Sequence, residues 1–159
     1  KEKYIKLKVK DLVKQHFEEY EKQLFSIRVF PGVLESVKRL KQKFKLGVVS
    51  GSTRYQVNTI LQRIGIYKYF DLIVTCEDYK NGKPSPEPYL LAAQKLKVHP
   101  NECVILEDCP TGIKSAKEAG ISVIAVSIGN VGKLNLSNAN KIVKTLDEVT
   151  LDLIKELEK

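Results

Sequence analysis

The chain has 159 residues, 43% of them hydrophobic and 29% charged, with 27 Lys and Arg against 19 Asp and Glu for a net charge of +8. Such a length and balance suit one folded domain with a real core and exclude a disordered or fibrous chain. No apolar run reaches the roughly 18 residues of a membrane span and no signal-peptide pattern is present, which argues against membrane insertion and secretion and for a cytoplasmic location.

The positive balance suits nucleic acid and small phosphorylated substrates alike. Its lysines are spread through nearly every helical segment, including Lys38 to Lys45 and Lys155 to Lys159, with no dense basic block interleaved with aromatics. Solvated helix faces explain that spread better than a nucleic-acid interface. Cys76, Cys103 and Cys109 are an odd number without zinc spacing, so reduced thiols are expected. The sequence contains no methionine, so Lys1 is not an ordinary initiator and residues are expected before it.

Apolar side chains at Ile5, Val9, Leu12, Val13, Phe17, Tyr20 and Leu24 form the stripe of one long helix over residues 4–24. His16 lies beside that stripe and reads as a packed or surface residue. Pro31-Gly32 then marks a turn and a boundary, dividing the chain at residues 1–29 and 30–159.

Beyond the boundary a repeating order begins. The spacing predicts a helix over Val33 to Lys43, a strand Lys45 to Val49, a helix Arg54 to Ile64 and a strand Asp71 to Thr75. A loop through Asp78 to Pro86 leads to a helix Tyr89 to Leu96, a strand ending at Glu107 and a helix Ile113 to Ala119. A strand Val123 to Val126, a short strand at Ile142-Val143 and a helix from Leu146 complete the chain. Strands alternating with helices indicate right-handed crossovers and an α/β fold, a mostly parallel sheet with helices on both faces.

Three stretches carry candidate chemistry, and all three follow a predicted strand, so in a parallel sheet they share one edge. Leu46-Gly47-Val48-Val49-Ser50-Gly51-Ser52-Thr53 runs a strand into a hydroxyl-rich turn, where hydroxyls and backbone N–H groups bind anions and Gly51 permits close approach; plain capping by Ser52 or Thr53 is the alternative. Lys80-Asn81-Gly82-Lys83-Pro84-Ser85-Pro86-Glu87-Pro88 is a polar loop that presents Lys83, whose own backbone the following proline restricts. Its ammonium can neutralise a phosphate as a point charge, or it is a solvated turn residue. Glu107-Asp108 places two hard oxygen ligands of the kind that suit Mg²⁺ at a strand end, unless they only cap the next helix.

The ordered set resembles the haloacid dehalogenase superfamily, and within it the subgroup of β-phosphoglucomutase and phosphoglycolate phosphatase. Phe30-Pro31-Gly32-Val33 resembles that subgroup's re-entry from a helical cap into a Rossmann-like core. Val48 to Ser52 resembles its second motif, Gly82 to Tyr89 its third, and Leu106 to Gly112 its fourth. The resemblance implies that Ser50 and the backbone at Gly51 bind the transferring phosphoryl group, and that Lys83 bridges it to the nucleophile. It further implies that Asp108, with Glu107, positions Mg²⁺ and that Arg54 reaches a substrate. A small phosphorylated metabolite is the implied substrate and a monomer the expected state.

One motif is absent. No Asp-x-Asp followed by a small hydroxyl residue occurs anywhere, although covalent phosphoaspartate chemistry needs that carboxylate. In the family its strand lies between those matching Leu46–Val49 and Val104–Leu106. Residues 1–29 therefore read as the tail of a helical cap, with the first strand and most of the cap expected upstream of Lys1. The alternatives are a phosphomutase, a non-catalytic relative that kept the fold as a binding module, and a basic nucleic-acid-binding domain.

Overall fold

The structure, a computed structural model, describes residues 29–129 and 134–157. The helix expected over residues 4–24 and the cap assigned to residues 1–29 lie outside these, apart from residue 29. Ten elements follow in chain order: α1 (Val33–Lys41), β1 (Gly47–Val49), α2 (Arg54–Arg63), β2 (Leu72–Val74), α3 (Glu87–Leu96), β3 (Val104–Glu107), α4 (Pro110–Glu118), β4 (Ser122–Val126), β5 (Lys141–Val143) and α5 (Leu151–Leu157).

The predicted alternation is present, and among the described residues every strand pair is parallel. β1 pairs with β2, Val48 opposite Ile73, while β3, β4 and β5 form a second sheet in that order. Among the described residues no strand joins the two sheets, so β1 and β3 each keep one open edge.

β4 shows why the fold takes this form. All five of its residues are buried, as expected of a strand covered on both faces. Successive side chains alternate between faces: Val123 and Ala125 pack with Ile113 and Ala116 of α4, whereas Ile124 and Val126 pack with Leu40 of α1 and Ile154 of α5. Fully burying residues such as Val123 and Ile124 contributes about 1.5–3 kcal/mol each. A separate cluster of Val57, Leu61 and Ile66 covers β1 and β2 through Val48 and Ile73.

Pro31-Gly32 makes the expected turn. Gly32 caps α1 at φ 79°, and a Cβ there would lie 2.6 Å from the Asp147 carboxylate, so glycine is required on both counts.

Most bounds fall within about two residues of expectation, and three helix starts differ by more than a trimmed end. α3 and α4 start earlier than predicted because a proline in the first turn costs a helix nothing. The helix predicted from Leu146 is instead a 3₁₀ turn, Leu146–Glu148, followed by α5. Arg39 Nη2 donates to the carbonyls of Leu146 (3.3 Å) and Val149 (3.1 Å), and Thr150 Oγ1 accepts the Leu153 N–H at 3.1 Å to start α5 afresh. Among the described residues no helix is long and apolar enough to cross a membrane.

Candidate active site

The turn after β1 sorts capping from binding. Thr53 is the N-cap of α2: its hydroxyl accepts the Gln56 N–H, and the Gln56 side chain accepts the Thr53 N–H at 2.9 Å, a complete capping box. Helix capping is therefore satisfied without Ser50 or Gly51. The Ser50 N–H bonds the Val74 carbonyl at 2.9 Å, and Ser50 Oγ accepts the Ser52 N–H at 3.1 Å, which leaves the hydroxyl proton to donate elsewhere. Among the described residues nothing accepts the Gly51 N–H.

The loop between β2 and α3 is held from within. Glu87 accepts the N–H groups of Lys80 (2.7 Å) and Asn81 (3.0 Å) and the Asn81 side-chain amide (2.7 Å). The Lys80 N–H foremost keeps its carboxyl below the usual range. Ser115 of α4 donates to the Ser85 carbonyl at 2.5 Å. The loop, whose Lys83–Pro84 peptide is cis, sends Lys83 across the opening between the sheets. Lys83 Nζ donates to the Val49 carbonyl at the end of β1 (3.2 Å) and to Glu107 Oε1 at the end of β3 (2.5 Å). It also stands 4.7 Å from the centre of the Tyr89 ring, a cation–π contact.

Glu107 is only 8% exposed, so its charge has to be matched. Lys83 and the Tyr89 hydroxyl share Oε1, while the Asp108 N–H (3.2 Å) and the Cys109 thiol (3.4 Å) face Oε2. Burial opposes the charged form, but the Lys83 ammonium and these hydrogen bonds outweigh it and hold the carboxyl below its ordinary value. Burial, and then the Glu107 charge, push the Tyr89 phenol well above its ordinary value, so it stays a donor. Gly112 on α4 makes room for the carboxylate, which occupies the very space a Cβ would fill.

Asp108 differs from Glu107. It is exposed, and among the described residues no donor reaches its carboxylate. The N-cap of α4 is Cys109, with no side-chain capping bond, so the capping alternative for the two carboxylates is not realised. Ligand atoms of Glu107, Asp108 and Cys109 lie within 4.8 Å of one another. One unengaged carboxylate beside a second held by an ammonium is a donor set that fits a hard divalent cation with part of its water retained.

The model of the haloacid dehalogenase-like hydrolases matches residues 1–126. The chain belongs to this family. It is 35% identical over 159 residues to a phosphorylated carbohydrates phosphatase of Thermotoga maritima, covering 95% of this chain and 73% of that relative. A solved β-phosphoglucomutase of Clostridium difficile aligns with a TM-score of 0.77 and 27% identity, over 91% of this chain and 64% of that one. CbbY of Rhodobacter sphaeroides, solved with phosphate, has the same fold, with a TM-score of 0.82 at 23% identity over 98% of this chain and 72% of that one. The chain thus spans about two thirds to three quarters of the length of these relatives.

Within this haloacid dehalogenase-like frame Lys83, Glu107, Asp108 and the Ser50–Gly51 turn come together, but Arg54 is drawn elsewhere. Its guanidinium pairs with Asp78 at 2.5 Å and the Ile73 carbonyl at 3.3 Å. Asp78 also accepts the Thr75 N–H (2.7 Å) and hydroxyl (3.0 Å); the former is the main cause of its lowered pKa. Arg54 braces α2 against the end of β2. Tyr89 and Gly112 are partners of Glu107 that no local sequence signal identifies. Both lie inside the motifs already singled out, but neither a tyrosine in a helix nor a glycine in a helix signals a buried carboxylate 18 or 5 positions away.

Proposed function

We propose that this chain supplies the phosphate- and metal-binding groups of a Mg²⁺-dependent phosphoryl-transfer enzyme, a phosphatase acting on a small phosphorylated carbohydrate. The observation that carries the reading is Lys83. A single ammonium spans the ends of β1 and β3 at 3.2 and 2.5 Å, joining Val49, two residues before Gly51, to Glu107, the neighbour of Asp108; among the described residues neither the Gly51 N–H nor the Asp108 carboxylate has a partner.

In this reading the Ser50 hydroxyl and Gly51 N–H hold oxygens of the phosphoryl group, and Lys83 offsets the negative charge that spreads over them during transfer. Glu107 keeps Lys83 aimed. Asp108, with Glu107, holds Mg²⁺, which when bound neutralises further phosphoryl charge. The acceptor carboxylate is taken from a strand outside this sequence, lying in the opening between β1 and β3, and residues 1–29 are assigned to a cap over a core of residues 30–159. The name of the Thermotoga relative supports a phosphorylated carbohydrate as substrate, and a net charge of +8 suits an anionic one. The protein acts as a cytoplasmic monomer.

A second reading, supported by the likeness to a β-phosphoglucomutase, is a phosphomutase, in which a substrate hydroxyl rather than water receives the phosphoryl group. Assaying the native protein on a panel of sugar phosphates, with and without Mg²⁺, separates the two by inorganic phosphate against isomerised sugar. Lys83→Ala is expected to lower kcat/KM about 10²–10³-fold, the scale of one electrostatic donor. Turnover indifferent to both Mg²⁺ and Lys83 would overturn the site.

A further inference from the structure

The β2–α3 loop reaches the end of β1 with two side chains. Lys83 takes the carbonyl of Val49, and four residues earlier Tyr79 donates its hydroxyl to the carbonyl of Ser50 at 3.1 Å. Two consecutive carbonyls at this strand end are therefore each held by a side chain of the same loop. Tyr79 is half-buried. Its ring lies 3.6 Å from where a Cβ on Gly82 would stand, and its hydroxyl 4.0 Å from where one on Gly51 would. It is wedged between the two loops that carry the proposed phosphate ligands.

The Ser50 carbonyl and the Gly51 N–H belong to one peptide unit. That unit is trans, since among the described residues only Lys83–Pro84 is cis, and in a planar trans peptide the carbonyl and N–H point in opposite directions. Whatever fixes the carbonyl fixes the N–H. A hydrogen bond accepted by the carbonyl also polarises the amide and strengthens its N–H as a donor. Among the described residues the peptide's own carbonyl and N–H make no other hydrogen bond; the nearest restraints sit on neighbouring peptides, at the Ser50 and Ser52 N–H groups, and glycine on the far side leaves the plane free to tilt.

We propose that Tyr79 is a positioning residue that sets the Ser50–Gly51 peptide plane and thereby aims the Gly51 N–H at a bound phosphoryl group. The inference rests on the phosphate reading of this site. Burial foremost, then the neighbouring Cys76 and Asp78, raises the Tyr79 phenol above its ordinary value, so the hydroxyl remains a donor through the neutral range.

The test is titration of inorganic phosphate into ¹⁵N-labelled protein, followed at the Gly51 amide, for wild type, Tyr79→Phe and Lys83→Ala. Phenylalanine keeps the wedge and removes one neutral hydrogen bond, so phosphate affinity should fall roughly three- to tenfold and the Gly51 amide shift in the free protein should move, while the melting temperature falls by no more than the few degrees that one such bond is worth. A merely structural tyrosine would lower the melting temperature and leave phosphate affinity at the wild-type value. If Tyr79→Phe binds phosphate as wild type does while Lys83→Ala loses it, the inference about Tyr79 is wrong and the site stands. If wild type binds no phosphate, or Lys83→Ala binds it undiminished, the site reading falls and Tyr79 with it.

Discussion

Replacing Glu107 by glutamine isolates the charge at the centre of the site, because the side chain keeps its shape. The Glu107 side chain is 7% exposed and that of Lys83 19%, and breaking a fully buried pair by removing one partner costs about 3–5 kcal/mol. The cost here is smaller. Lys83 would keep the Val49 carbonyl and the Tyr89 ring, water reaches part of it, and Tyr89 would still find a carbonyl oxygen on the glutamine. About 2 kcal/mol at neutral pH is expected for Glu107→Gln. The sign of the pH dependence follows from the depressed folded-state pKa of Glu107. Its contribution is fully present above the unfolded value of about 4.3 and is lost as pH falls through the folded value. Urea denaturation at neutral pH should show the gap between wild type and Glu107→Gln, and the same measurement in acid should show it closing as the wild-type carboxyl protonates. Equal stability at neutral pH, or a gap that persists undiminished in acid, would refute the claim that Lys83 stabilises a charged Glu107.

Two further substitutions probe neighbouring atoms. Asp108→Asn removes an exposed carboxylate with no described partner, so stability should change by less than about 0.5 kcal/mol while calorimetric Mg²⁺ affinity falls at least tenfold; unaltered affinity would remove Asp108 from the metal site. Gly112→Ala, normally favourable inside a helix, should instead destabilise by about 1–3 kcal/mol because its Cβ displaces the Glu107 carboxylate, measured as a lowered urea midpoint, and a gain in stability would mean the carboxylate has room to move.

Much of this site was legible as local pattern. The strand-to-turn-to-helix transitions at Val49, Thr75 and Glu107 announced themselves by an apolar run followed by polar or glycine-containing residues, and the strand ends fell within one or two residues of Val49, Val74 and Glu107. Ambiguity lay wherever a residue type serves two purposes. Ser50, Ser52 and Thr53 all make good N-caps, and the backbone geometry that put Thr53 at the cap released Ser50. Arg54, which the resemblance points at a substrate, is held instead by Asp78, 24 positions away.

What the sequence alone determined about this protein is whatever depends on neighbours in the chain: the parallel α/β alternation, the punctuation by Pro31-Gly32, and the delivery of Ser50, Lys83 and Asp108 to strand ends on one edge. Periodicity and turn chemistry act over a few residues, so they can be read from a few residues. The tertiary structure alone decided which carboxylate is charged and buried, which is open to a ligand, and which carbonyls Lys83 and Tyr79 hold. Those outcomes rest on contacts between residues 24 to 34 positions apart, where packing and desolvation, not local preference, set the energy.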